Sequence, residues 1–431
     1  MHRQKAGFPI ASGQHKDLKK RMLQWSQPLS ILLFLDNNDY PSPYSRYECL
    51  LAAGSHGNIA GNTSDALSLL AEHHKEHQDW LFGHIVYDYK NYLEKKLSSS
   101  HPVKTGFPDI HFFCPEIVCY IEKGSDTLVI ESATFAPADV YEQIINTEIP
   151  QARPQPALRF SQAINKTNYL QTIAQLRQHI ADGDCYEINF CNHAFCDNAL
   201  IDPLQVFQAL NSLSPAPFAA YYRLEDKYMM CASPERYLQK NADRIIAQPI
   251  KGTARRDADM QKDTEIKNAL QQDIKERAEN VMIVDLMRND LARCCETGSI
   301  SVDELFGVYT FPQVHQLIST ISGKIKKDIP FTDAIRSSFP MGSMTGAPKI
   351  KVMQLIDQYE TSRRELFSGT IGYISPAGDF DFNVIIRSLF YNASSQYLSY
   401  HTGGAITYDS DPLKEWEEMR LKAWALERIF T

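Results

Sequence analysis

Strand-like and helix-like stretches do not alternate along this chain, and that limits its fold more than any other feature of the sequence. A doubly wound parallel sheet needs a helix after nearly every strand. Here strand signals come in runs. Ile117–Ile121 and Thr127–Ile130 flank a Gly124-Ser-Asp126 turn, Phe218–Arg223 and Tyr228–Ala232 read as a hairpin, and Tyr237-Leu-Gln239 leads into Arg244-Ile-Ile-Ala247. Trp80–Lys90 reads as a buried strand entering a turn, and further strands are expected at Gln316–Ile325, Gly369–Ile374, Asp381–Tyr391 and Gln396–His401. Helical spacing covers Ala66–His77, Asn165–Asp182, Pro203–Ser214, one long segment from Asp263 to about Met287, Asp333–Ser338, Ala347–Tyr359 and Leu413–Phe430. The pattern predicts an α+β fold built on antiparallel sheets.

A chain of 431 residues can bury a large core and make two or three domain-sized units. The clearest boundary is the proline-rich stretch Pro150–Pro156. The chain therefore divides into an N-terminal α+β subdomain over 1–150, a linker over 151–159 and a second folded unit over 160–431. A formal net charge of −8 argues against nucleic acid as a partner but not against a small anionic ligand met by local cations. No apolar run approaches the roughly 20 residues that span a bilayer, so no membrane association is expected. Met1–Phe8 carries positive charge without an apolar stretch behind it, unlike a secretory leader. Nine scattered cysteines with no CxxC pair suit reduced thiols and a cytoplasmic protein. The histidines at 73, 74 and 77 read as an exposed helix face.

Three features could carry chemistry. Lys251 lies in Gln248-Pro-Ile-Lys-Gly-Thr-Ala-Arg-Arg256, between the strand Arg244–Ala247 and a Gly252-Thr253 turn. Such a lysine becomes a nucleophile if its surroundings lower its pKa, although a lone lysine at a strand end is more often a surface residue. Two helices carry carboxylates three apart, Glu276 with Glu279 and Glu415 with Glu418, the second with Lys422 one turn on. Singly each pair reads more readily as a solvated face; facing each other they could hold magnesium. Finally, Phe339–Lys349 (Gly342, Ser343, Thr345, Gly346) and His401–Ala405 (Gly403, Gly404), the latter preceded by Arg387, read as glycine turns able to cradle an anion. Walker A, dinucleotide and nucleophile-elbow motifs are missing, as is any cysteine elbow suited to a glutaminase. Nitrogen drawn from glutamine would have to be released by another chain.

The blocks SPER (233–236), PIKGT (249–253), KERAEN–VDLMRNDLARC (275–294), VHQLIS (314–319), GSMTGAPK (342–349), SGTIGY (368–373), IIRSL (385–389) and GGAITYDSDP (403–412) with EWEE (415–418) stand in one order. In that order they resemble the chorismate-utilising enzymes over about residues 160–430. Within the family the chain is similar to the para-aminobenzoate branch, component I of aminodeoxychorismate synthases. Anthranilate synthases read PIAGT where this chain has Lys251, and isochorismate and salicylate synthases carry a water-activating lysine where this chain has Glu187. The resemblance implies a two-layer core of large antiparallel sheets with outer helices, and a chorismate-binding catalytic domain over 160–431. It also implies the conversion of chorismate and ammonia to 4-amino-4-deoxychorismate through a covalent lysine adduct, serving folate synthesis, with a glutaminase subunit (component II) as ammonia donor.

The same resemblance makes Lys251 the nucleophile and Glu235 the acid. It gives Gly252, Thr253, His315, Thr345, Arg387, Gly403, Gly404 and Lys422 to the substrate, and Mg2+ to Glu279 and Glu418 directly and to Glu276 and Glu415 through water. Some members hold tryptophan in the N-terminal part; Tyr47–Ala52 lacks their LLES-like motif, so tryptophan regulation is not expected. Anthranilate synthase component I and a non-catalytic chorismate-binding subunit are the alternative readings.

Overall fold

The apolar strands read as continuous runs because both of their faces are covered. In Ile31–Asp36, Leu33 enters a core with Phe82, Phe112, Leu238 and Phe382, whereas Leu32 and Phe34 enter another with Met22, Leu23 and Phe207. Phe218–Leu224 divides in the same way, Ala220 and Tyr222 to the first core and Ala219 and Tyr221 to the second. The first core lies between two sheets. The second lies between one sheet and the helices His15–Trp25, Pro137–Asn146, Pro203–Leu213 and Pro412–Arg428.

The computed structural model describes residues 3–311 and 314–431; Met1 and His2, at the head of the segment compared above with a leader, lie outside the described residues, as do Pro312 and Gln313. Among the described residues the strands form a 12-stranded and a 10-stranded antiparallel sheet, flanked by helices. Residues 151–159 are irregular and mostly exposed. The segments on either side nevertheless share both sheets: Ile31–Asp36 pairs with Phe218–Leu224, and Leu81–Ile85 with Thr370–Ile374. No helix among the described residues is long and apolar enough to cross a membrane.

Four details differ from the sequence reading. The long helix expected from Asp263 is two helices, Met260–Gln272 and Ile274–Ala292. Asp273 (ψ 119°) breaks them and caps the second by accepting from the Glu276 amide. The strand expected over Asp381–Tyr391 is also two, Phe380–Val384 and Ser388–Asn392, interrupted where Arg387 turns to φ 51°. The glycines at 403 and 404 are not in a turn but inside the strand Tyr397–Ile406. A Cβ on Gly403 would lie 2.1 Å from the Phe190 carbonyl, so glycine there permits close strand approach. His74 is buried, with Nε2 2.9 Å from the Ser375 carbonyl, rather than on an exposed face.

Candidate active site

The chain crosses between the two sheets at two adjacent points, and each crossing carries a charged residue. Lys227–Ser233 belongs to the 12-stranded sheet and Arg236–Asn241 to the 10-stranded one, with Pro234 and Glu235 between them. Phe380–Val384 and Ser388–Asn392 make the reverse passage through Arg387. The crossings are tied together: Ser233 Oγ donates to the Val384 carbonyl (2.6 Å) and Val384 N–H to that of Glu235 (3.0 Å). Arg387 adopts the left-handed conformation, which is uncommon for a side chain of its size. Its guanidinium has no hydrogen-bond or ion-pair partner among the described residues, and its pKa is lowered by burial against the pull of Glu235.

Glu235 is buried at 4% exposure and accepts from Ser343 Oγ at 2.6 Å, which joins the SPER turn to the GSMTGAPK loop. Burial pushes its carboxyl up to about 7, against the lowering effect of the Ser343 hydrogen bond and the Lys251 charge. It is therefore half protonated near neutral pH, as a general acid requires. Ser343→Ala is expected to move the alkaline limb of the kcat/KM profile upward by about one pH unit, the equivalent of a charge-assisted hydrogen bond of about 1.4 kcal/mol.

Lys251 stands in the strand Ile250–Arg255, at a bulge between Ile250 and Thr253 that Gly252 makes possible with φ 85°. The side chain is buried at 7% exposure. Its Nζ donates to Oε1 of Glu187, which is 0% exposed on the strand Glu187–Cys196 of the other sheet. The ion pair spans the two sheets. Burial works to lower the lysine pKa, but attraction to Glu187 and Glu279 outweighs it and holds the amine above its ordinary value. The condition named for a nucleophilic lysine is therefore not met at rest: the amine is charged, because buried carboxylates reverse the effect of burial.

The two glutamate pairs occupy the helices Ile274–Ala292 and Pro412–Arg428 and act in one field. The Lys275 ammonium is attracted by Glu279, Glu415, Glu276 and Glu418 together. Burial pushes Glu279 up to about 7 and raises Glu276 and Glu415, whereas Lys422, 2.8 Å from Glu418, holds that carboxyl down. Gly252 and Gly404 bring the backbone close: a Cβ would meet Glu276 Oε2 at 3.0 Å in the first case and Glu415 Oε2 at 3.4 Å in the second. Among the described residues no three or more His, Cys, Asp or Glu side chains converge to hold a metal ion by themselves. Magnesium needs only one or two protein carboxylates, and Glu279 Oε1 is buried without a hydrogen-bond partner, so the donor set fits such an ion.

Some expected residues have other occupations. His315 is buried with Nε2 3.0 Å from Asp263 and Nδ1 3.0 Å from Thr310, so both ring nitrogens are engaged inside the protein. The Thr345 hydroxyl donates to the Met341 carbonyl at 3.1 Å and locks its own loop. Thr253 is exposed beyond the bulge, and Lys422 donates to the Gly403 carbonyl at 2.8 Å. Beyond the expected set the structure adds Glu187, Lys275 and Arg364, and it gives Ser343, already read as part of a glycine-turn cradle, a hydrogen bond to Glu235. Arg364 grips Glu360 at 2.6 Å and donates to the Met344 and Asn189 carbonyls at 2.7 Å each, fixing the GSMTGAPK loop against the Glu187 strand. Arg364→Met is expected to cost about 3–5 kcal/mol, read from denaturant unfolding, because Glu360 is left buried and unpaired.

A buried lysine, a buried glutamate with a raised pKa and an arginine with no hydrogen-bond or ion-pair partner among the described residues lie in one field where two antiparallel sheets exchange strands, an arrangement that suits a small anionic ligand. Residues 39–428 match the chorismate binding enzyme family, and the chain belongs to it. Aminodeoxychorismate synthase of Streptomyces griseus is 43% identical over 266 residues, 62% of this chain but only 36% of that longer protein. Aminodeoxychorismate synthase component 1 of Bacillus subtilis (strain 168) is 30% identical over 365 residues, 81% of this chain and 77% of its own. The crystal structure of anthranilate synthase component I from Streptococcus pneumoniae TIGR4 shares the fold, with a TM-score of 0.79 at 25% identity over 90% of this chain and 94% of that one.

Proposed function

We propose that this enzyme converts chorismate and ammonia to 4-amino-4-deoxychorismate through an adduct on Lys251. The observation that carries this reading is the buried Lys251 amine, which shares one charge cluster with Glu235 and Glu279. Chorismate is a dianion whose allylic hydroxyl is a poor leaving group. Glu235, neutral in part at pH 7, donates a proton to that oxygen as Lys251 bonds to the ring, and water leaves. Ammonia then displaces the lysine at the carbon that carried the hydroxyl. Arg387, whose guanidinium has no hydrogen-bond or ion-pair partner among the described residues, holds a substrate carboxylate, and Lys422 beside Gly403 and Gly404 lies near the second.

Magnesium would be held by Glu279 and Glu418, with Glu276 and Glu415 acting through water; Ser410 Oγ already occupies one Glu415 oxygen at 2.7 Å. When bound, the ion neutralises negative charge at the ring carboxylate. A separate glutaminase chain is the proposed source of ammonia, and the nine free cysteines suit the reducing cytoplasm.

The test is incubation with chorismate, Mg2+ and ammonium, with the product read by mass and fluorescence. Aminodeoxychorismate is expected. Anthranilate would turn the assignment to anthranilate synthase component I, and no turnover would turn it to a binding subunit.

A further inference from the structure

The scheme above requires an amine that has lost its proton, yet the resting Lys251 is an ammonium ion. Nothing assigned so far removes that proton. Glu187 is the group in contact with it: Oε1 accepts from Lys251 Nζ, and Oε2 is buried without any hydrogen-bond partner. A purely structural buried carboxylate normally has its oxygens satisfied. This one keeps a bare lone-pair site beside the reacting nitrogen. Its backbone is rigidly placed, pairing with Ala347, and a Cβ on Gly346 would come within 2.1 Å of the Glu187 carbonyl. The other charged groups whose field reaches the pair are Glu279 and Glu276, on the helix Ile274–Ala292, Glu418, on the helix Pro412–Arg428, and Glu235, on the sheet crossing.

We propose that Glu187 is the proton acceptor that frees the Lys251 amine for attack on the substrate, an inference that rests on the lysine-adduct reading above. The step balances. An N–H bond of Lys251 breaks, an O–H bond forms on Glu187, and the lone pair released makes the N–C bond to the ring. The allylic C–O bond breaks and its oxygen takes the Glu235 proton, leaving as water. When ammonia displaces the lysine, the amine recovers its proton from Glu187 and the new ammonium group returns one to Glu235.

The experiment follows adduct formation by intact mass, with chorismate and Mg2+ but no ammonia, in the wild type, Glu187→Gln and Glu187→Asp. At neutral pH Glu187→Gln is expected to form the adduct about 10²-fold more slowly than the wild type. That ratio should shrink as pH rises, because hydroxide takes over the carboxylate's task. The Glu235 contribution is common to both proteins and cancels in the ratio. Glu187→Asp keeps an acceptor and is expected to recover part of the rate; should the Gln variant fail to fold, the pH dependence of the Asp variant decides. A Gln variant that matches the wild type in rate and pH dependence, or exceeds it, overturns the role of Glu187 alone. A wild type that forms no adduct overturns the lysine reading itself.

Discussion

Lys251→Ala is expected to lose the chorismate adduct altogether and to lower turnover with ammonium on the order of 10³-fold or more, as removal of a nucleophile does. Two effects are mixed in that variant. It removes the attacking amine, and it leaves Glu187 buried without its partner, which costs about 3–5 kcal/mol when a buried pair is broken from one side. The double variant Lys251→Met with Glu187→Gln separates them. Taking away both charges together is close to neutral for stability, so the double variant should unfold near the wild-type midpoint and remain inactive. Intact mass after chorismate treatment is the deciding measurement. An adduct of the same mass that survives in Lys251→Ala removes the lysine from the mechanism.

The parts of this site that could be read from the sequence are those whose geometry is local. Two carboxylates three apart on a helix share a face whatever surrounds them, so the Glu276–Glu279 and Glu415–Glu418 pairs were legible. The antiparallel architecture was legible too, because runs of strands without intervening helices leave few alternatives. What the sequence hides is pairing across the two sheets. Glu187 and Lys251 are 64 positions apart and meet only because one strand lies at an edge of the 10-stranded sheet and the other beside the edge of the 12-stranded sheet. Burial alone would lower the lysine pKa; attraction to Glu187, Glu279 and Glu235 together reverses the sign. The apolar run containing Ile385 and Ile386 concealed the crossing at Arg387 for a related reason, since a strand that changes sheets keeps its hydrophobic pattern through the change. Gly403 and Gly404 misled in the opposite direction. Glycine marks a close approach of backbones as often as a turn, and only the partner strand decides which.

Glu235→Gln should lower kcat/KM by about 10²–10⁴-fold, the usual contribution of a positioned general acid. In the wild type the carboxyl is pushed up to about 7 by burial, so the acid form is present below that pH and is lost as pH rises through it. The alkaline limb of the wild-type profile therefore reports Glu235, and the Gln variant should lack it. The same shift makes a statement about stability. Between the ordinary value of 4.5 and about 7 the folded protein keeps a proton that the unfolded chain has released. This stabilising contribution is complete below about pH 4.5 and disappears as pH climbs through about 7. Above that range the wild type must bury an ionised carboxylate at a cost of up to about 3 kcal/mol, whereas glutamine has no charge to bury. Denaturant unfolding at about pH 5 and about pH 8 is expected to find the variant more stable relative to the wild type at the higher pH. A loss of activity joined to a gain in stability distinguishes a missing acid from a damaged fold. An alkaline limb that persists unchanged in the Gln variant would assign the proton donor to another group.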